Sequence, residues 1–290
     1  MNKKRFQKQE ESMIQLYLEN ESVNEGILHE KLTHWHDNDI ELVYVIKGSM
    51  ICQTNHDVFQ LQKGDLCFIN NNQLHRLSCD GKNPCEHKAL ILNMKIFANN
   101  PEIFEQYIRP ILEDQSFAHV RFQGTSGASS KIYTSMERIE KLKDEKPLGY
   151  ELGIISESFA IMQQLYSVYI SGGVEKTKVD YNRSILQQML EYIYDHYGSQ
   201  ITLEDIALAG NSSTSKCNRI FKEYTNQSPI TYLNNYRLEK SAEMLKTSDM
   251  TIALISQMCG FSQQSYFNRM FIREYGVTPL KYRNVHYKQA

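Results

Sequence analysis

Apolar and polar positions alternate in short runs along the first hundred residues. Residues 40–46 (IELVYVI) are apolar and β-branched. Ile51 and the segments 58–61, 66–69 and 89–94 follow. Turn formers separate them: Lys47-Gly48, Asn55-His56-Asp57, Lys63-Gly64-Asp65 and Asn70-Asn71-Asn72. Strands at this spacing predict an antiparallel sandwich or barrel. From about residue 97 the period lengthens to that of a helix. Ile103, Phe104, Tyr107 and Ile108 form one stripe, and Ile132, Met136, Ile139 and Leu142 another. A third pattern, 148–170, sets Leu152, Ile155, Phe159, Met162 and Leu165 three or four apart, the spacing of a helix seam. Such a seam serves equally to cover the sheet domain or to meet a second copy of the chain. Ser171-Gly172-Gly173 and the charged run after it predict a linker. The expected division is a domain at 1–115, a helical region at 116–170 that makes the dimer contact, a linker at 171–182 and an all-α domain at 183–290.

That last domain carries one helical pattern twice, at an offset of fifty residues. The sequence N-R-I-F at 218–221 is followed by Pro229 and Tyr232, and N-R-M-F at 268–271 by Pro279 and Tyr282. In the first copy Thr202, with Asp205 three residues on, approximates a capping box before the stripe Leu203, Ile206, Ala207. Gly210-Asn211-Ser212 supplies a turn. A second helix then runs from near Ser213 to about Tyr224, burying Cys217, Ile220 and Phe221 and exposing Ser215, Asn218, Arg219 and Lys222. In the second copy Thr251, Ile252 and Ile255 begin the unit and Cys259-Gly260-Phe261 turns it. Phe267, Met270 and Phe271 face inward, with Gln264, Ser265, Asn268 and Arg269 outside. Ile272 stands where the first copy has Lys222. Ser228-Pro229 fits an N-cap and first helical position for the helix that joins the copies. Two helix-turn-helix units, about 201–224 and 251–275, are therefore expected. An isolated N-R-x-F would be core plus solvated face; its duplication with matched Pro and Tyr points to double-stranded DNA. Asn can bond adenine in bidentate fashion, Arg guanine or phosphate, and Lys phosphate.

Composition changes this picture little. With 290 residues, 41% hydrophobic and 23% charged, the chain can fill two cores. From Tyr181 onward Lys and Arg exceed Asp and Glu by three, while the remainder is five to the acidic side. That asymmetry fits nucleic-acid contact at one end. The charged start MNKKRFQKQEES predicts no secretory signal, and no run approaches the roughly 18 apolar residues of a membrane span. Six cysteines without metal-type spacing suit a reduced cytoplasm. No phosphate-binding Gly loop or nucleophile motif is present, so no enzyme is expected.

The C-terminal hundred residues resemble the AraC/XylS family of transcription regulators. The likeness rests on ITLEDIA at 201–207, NRIFKE at 218–223, Pro229 with Arg237-Leu238, GFSQQSYFNRMF at 260–271 and GVTPLKYR at 276–283. It implies that each second helix enters a major groove. Ser215, Asn218 and Arg219 would face bases from the first, and Gln264, Ser265, Asn268 and Arg269 from the second, with Lys222 on phosphate. The N-terminal run His34-Trp35-His36, Glu41, Gly48, Gly64-Asp65 and His75 resembles a cupin barrel, although Asn70 and Asn72 replace the usual Pro and Gly. In such a barrel His34, Trp35, His36, Glu41 and His75 would meet a small effector. Three imidazoles and a carboxylate also suit Fe, Mn, Ni or Zn. No cofactor is expected, and a divalent metal at this cluster is the alternative.

The fold class expected is multidomain α and β: an N-terminal cupin-like β-barrel with flanking helices and a C-terminal all-α tandem helix-turn-helix. The function implied is a cytoplasmic, dimeric, sequence-specific regulator, an activator controlled by a small molecule. Its partners would be promoter DNA and RNA polymerase, with no membrane. A metal-dependent cupin enzyme fused to a DNA-binding domain is the alternative.

Overall fold

In the computed structural model, residues 14–21, 32–79, 85–124, 127–172 and 181–287 are described. Two compact units divide the chain: Met1–Ser22, Trp35–His75 and Cys79–Val179 form the first, and Val23–His34, Arg76–Ser78 and Asp180–Ala290 the second.

Eight strands are described: β1 (Ile14–Glu21), β2 (Asp39–Lys47), β3 (Ser49–Thr54), β4 (Asp57–Gln62), β5 (Leu66–Ile69), β6 (His75–Cys79), β7 (Cys85–Asn93) and β8 (His119–Phe122). A five-stranded sheet has the order β1-β7-β2-β5-β8 and a three-stranded sheet the order β4-β3-β6. Among the described residues the two sheets do not close into a ring, so the expected barrel is an open pair of antiparallel sheets. Strand β4 shows why one edge stays open. Only Leu61 of its six residues is buried, so it offers little apolar surface to a further neighbour.

The apolar run at 40–46 is continuous because β2 is covered on both faces. Ile40, Leu42 and Tyr44 join Leu66, Phe68, Leu90 and Leu92 in a core shared with the helices. Glu41, Val43 and Val45 point the other way and are also buried. After β7 the chain makes a 3-10 turn (Met94–Phe97), α1 (Pro101–Ile103), a π turn (Phe104–Ile108) and α2 (Arg109–Glu113). Strand β8 follows inside the stretch expected to be helical. The antiparallel pair α3 (Ala128–Glu145) and α4 (Tyr150–Ser171) then covers the larger sheet. Helix α4 buries Ile154, Ser158, Ile161, Met162 and Leu165, so its packed line is rotated from the expected stripe and leaves Leu152 exposed. The linker expected at 171–182 falls largely on residues 173–180, which lie outside the described residues.

The second unit is helical: α5 (Tyr181–His196), α6 (Leu203–Ala209), α7 (Thr214–Thr225), α8 (Pro229–Thr247), α9 (Ile252–Met258), α10 (Gln264–Tyr275) and α11 (Pro279–His286). Local chemistry sets the boundaries. Thr202 and Asp205 form the full capping box of α6. Ser213, Ser228, Thr251 and Thr278 cap α7, α8, α9 and α11 through side-chain oxygens. Pro229 and Pro279 occupy first-turn positions. Asn226 and Gly276 end α7 and α10 in the left-handed conformation. Cys217, Ile220 and Phe221 are buried in α7, and Phe267, Met270 and Phe271 in α10. Among the described residues no helix is long and apolar enough to cross a membrane.

Candidate functional site: nucleic-acid interface and interior polar cluster

Helices α6 and α7 make one helix-turn-helix, and α9 and α10 the other. On α7 the buried line leaves Ser215, Asn218, Arg219 and Lys222 exposed on the far side, as the spacing required. Two of these side chains are folded onto their own helix. The Asn218 amide donates to the Thr214 carbonyl at 3.0 Å, and Lys222 Nζ donates to the Asn226 carbonyl at 3.1 Å, where it helps cap the C-terminus. Ser215 and Arg219 extend outward.

On α10, Gln264, Ser265 and Arg269 are exposed. Asn268 is not placed with them. It is half-buried, and its Oδ1 is shielded from solvent with no hydrogen-bond partner among the described residues. Its angular position lies too near the edge of the Phe267–Phe271 core to present the whole amide outward. Ile272 is exposed beside Arg269, and Arg273 is exposed next to it. One further residue of this surface was missed. Tyr266 is exposed in the first turn of α10, the end at which recognition helices meet base edges. Its aromatic ring reads as a core residue in a hydrophobicity pattern, which hid it.

The polar cluster of the first unit is built on Glu41, which enters the space between the sheets from β2. Its Oε2 lies 2.8 Å from His75 Nε2 and 3.2 Å from His36 Nε2. Glu41 and His75 are buried, and His36 is partly so. His75 Nδ1 lies 2.9 Å from the Gln73 carbonyl. With that nitrogen donating to a carbonyl, a neutral ring would turn a lone pair on Nε2 toward the carboxylate. The charged imidazolium removes the clash by donating from both nitrogens. Burial opposes charge on either group, but the opposite charge and the hydrogen bonds win. They raise the His75 pKa and hold Glu41 well below the usual carboxylate range.

His34 and His36, two residues apart, do not share a strand face. His34 makes an isolated bridge and His36 lies in the loop before β2. His34 Nδ1 is 3.0 Å from the Leu32 carbonyl. Trp35 is buried and its indole N–H donates to Asp37 at 2.9 Å, so it is not an open stacking platform. The two departures from the cupin pattern have structural uses. Asn70 donates to the Ile111 and Phe117 carbonyls, and Asn72 adopts φ 58 where the pattern has glycine.

The donor set fits a divalent cation, since two imidazoles and a carboxylate converge with donor atoms within 4.8 Å of one another. Cys52 and Cys67 are free thiols buried between the same sheets, while Cys85 is engaged in a disulfide, unlike the fully reduced set expected.

Residues 206–284 match the family model of a helix-turn-helix domain, and residues 25–129 that of an AraC-like ligand binding domain. The chain belongs to the AraC/XylS family. Its similarity to known members runs nearly end to end. It is 28% identical to the HTH-type transcriptional regulator YdeC of Bacillus subtilis, over 91% of this chain and 90% of that protein. It is 25% identical to the HTH-type transcriptional activator RhaS of Enterobacter sp., over 86% of each. In fold it is similar to ToxT from Vibrio cholerae, at a TM-score of 0.51 and 10% identity, covering 94% of this chain and 98% of that one. The AraC/XylS assignment makes the chain a transcription regulator with a DNA-binding helix-turn-helix part and an effector-binding part.

Proposed function

We propose that this regulator is a cytoplasmic, dimeric transcription activator switched by a small molecule bound in its antiparallel sheet domain, and that it is not an enzyme. The observation that supports this best is the pairing of two outward polar faces on matched apolar cores, α7 and α10, in a chain that also encloses a charged cluster between its sheets. In this reading Ser215, Arg219, Gln264, Ser265, Tyr266 and Arg269 read bases, while Lys222 and Arg273 meet phosphates. Asn218 reads only after exchanging its bond to Thr214 for one to a base. RNA polymerase is the protein partner of the activating complex.

The effector is a small polar molecule that engages His36, Glu41 and His75 by hydrogen bonds. No resident metal is required, because the His75–Glu41 ion pair already balances charge in the cluster. Were a cation bound, His36, Glu41 and His75 would hold it and it would supply a Lewis-acid contact to an effector oxygen.

The test is selection of duplex DNA from a randomised pool by the full chain, with a thermal-shift screen of sugars and small acids and elemental analysis of protein purified without chelator. An enriched sequence whose affinity changes with a ligand that raises the melting temperature is expected. Failure to enrich any sequence would remove the DNA-reading assignment. Stoichiometric metal would remove the metal-free pocket.

A further inference from the structure

Among the described residues, Arg237 of α8 is the one arginine of the DNA-binding unit that is almost completely buried, at 7% exposure. It lies on the connector between the two helix-turn-helix units, yet its hydrogen bonds leave the connector. Nε donates to the Tyr197 carbonyl at 2.8 Å and Nη2 to the Ser199 carbonyl at 2.7 Å. Both acceptors sit in the segment between α5 and α6 that leads into the first helix-turn-helix. The other face of the guanidinium lies 5.9 Å from the ring centre of Phe261, in the turn of the second.

The α5–α6 segment and the turn of the second helix-turn-helix also touch directly. Gln200 Nε2 donates to the Gly260 carbonyl at 3.1 Å. Gly260 has φ 77, and a Cβ there would stand 2.3 Å from the Tyr197 carbonyl oxygen and 2.8 Å from Arg237 Nη2. A Cβ on Gly198 would stand 2.8 Å from the Met258 carbonyl oxygen. Two glycines on opposite sides of the contact thus allow backbone to meet backbone, with an arginine fork closing it. The connector is ~28 Å of helix at 1.5 Å per residue; its Tyr232 packs on Phe221 of α7, and its Leu238, Ala242 and Leu245 pack with Phe267 and Phe271 of α10. The brace adds a direct tie between the segment entering α6 and the turn before α10.

We propose that Arg237, with Gly198, Gln200 and Gly260, is a positioning device that fixes the separation and angle of the two reading helices, so that DNA is recognised as two sub-sites at a single spacing. The proposal rests on the DNA-reading assignment above. Arg237 touches no base; it acts through the segment that leads into α6 and the turn that carries α10. Lysine cannot replace it, because one ammonium does not reproduce a fork that serves two carbonyls while its flat face covers an aromatic ring.

The experiment uses the full chain and the duplex it selects from a randomised pool. Insertions of one or two base pairs are placed between the two sub-sites. Two added base pairs turn one sub-site by roughly 70° about the helix axis and move it by about 7 Å. Wild-type protein is expected to lose at least about tenfold in affinity on the two-base-pair insertion, a difference of ~1.4 kcal/mol. Arg237→Lys and the milder Gln200→Ala are expected to bind the uninserted duplex more weakly and to lose most of that discrimination, so the ratio of the two affinities falls toward one. A general loss of folding would weaken both duplexes alike and leave the ratio unmoved, which is why the ratio is the readout.

If wild type tolerates the insertion, the fixed spacing is overturned although DNA reading stands. If both variants keep the wild-type ratio with unchanged helical circular dichroism, the brace is overturned. If the pool yields no enriched sequence, the DNA-reading assignment fails first and this proposal with it.

Discussion

Asn268 and Arg269 are chain neighbours that the packed helix treats differently. Both belong to the N-R-M-F pattern, and both sit outside the Phe267, Met270, Phe271 line in a helical projection. Arg269 is exposed, whereas the Asn268 carbonyl oxygen is closed off. Arg269→Ala is therefore expected to cost roughly 1–3 kcal/mol of specific DNA binding, the worth of a bidentate base contact. Asn268→Ala should cost distinctly less; gel-shift titration of both variants on one duplex compares them. The 100° step of a helix was legible, but how far a neighbouring helix extends over its flank was not, because that depends on residues distant in sequence. The same limit applied to Trp35, whose burial no local pattern announces.

At the polar cluster the converging residues His36, Glu41 and His75 were legible by type and spacing, while the bond geometry came only with the fold. Glu41→Ala would leave the buried His75 imidazolium without its counter-ion, and breaking a buried pair costs about 3–5 kcal/mol. Thermal unfolding of the first unit measures this. The pH dependence follows from the two directions. His75 is held protonated above its ordinary value of about 6.5, so its contribution is full below that value and is lost as pH rises through the raised one. Glu41 is depressed, so its contribution is present above about 4.3 and lost as pH falls through its lower value. The melting temperature should thus decline on raising pH through the His75 titration, and Glu41→Gln should flatten that decline. A wild-type profile already flat across this range would refute the charged pair.

Element by element, the C-terminal half was the more readable. Its helices declare themselves through caps, prolines and glycines that act within a few residues, and the boundaries of α6, α7, α8 and α11 follow from them. Thr202→Ala should lower stability by about 0.5–2 kcal/mol through loss of the capping box alone, read by chemical denaturation with little change in the DNA-contacting face. Strands depend on partners far along the chain, and there the pattern was incomplete. Strand β1 pairs with β7 across some seventy residues and β8 with β5 across some fifty, and neither was expected. Sheet closure was also illegible, since it turns on whether edge strands find each other. For α4 the stripe was visible but not its rotation: Ile154 and Ile161 pack inward, and Leu152 is left in solvent.

For the molecule as a whole, the acidic and basic halves separate two tasks. DNA affinity should fall with salt, and Arg219→Ala should reduce the slope of log K against log salt by about one if Arg219 holds a phosphate, or leave the slope while relaxing sequence preference if it reads a base. For the proposed dimer, the exposed Leu148, just before α4, and Leu152, within it, would be the surface for self-association; Leu152→Glu is expected to shift sedimentation toward the monomer while leaving the unfolding free energy within about 0.5 kcal/mol of wild type. The two copies of the repeat keep an apolar interior and a polar exterior at matched offsets. Cys217, Ile220 and Phe221 match Phe267, Met270 and Phe271 as apolar positions, and Tyr232 matches Tyr282; outside, Ser215 and Arg219 recur as Ser265 and Arg269, whereas Thr214, Lys216 and Lys222 stand against Gln264, Tyr266 and Ile272. Scaffold and alphabet are thus written on separate residues. A descendant of this chain could acquire a new operator one half at a time, by exchanging outward side chains that hold no part of the fold, while the other half keeps the protein anchored to its old address.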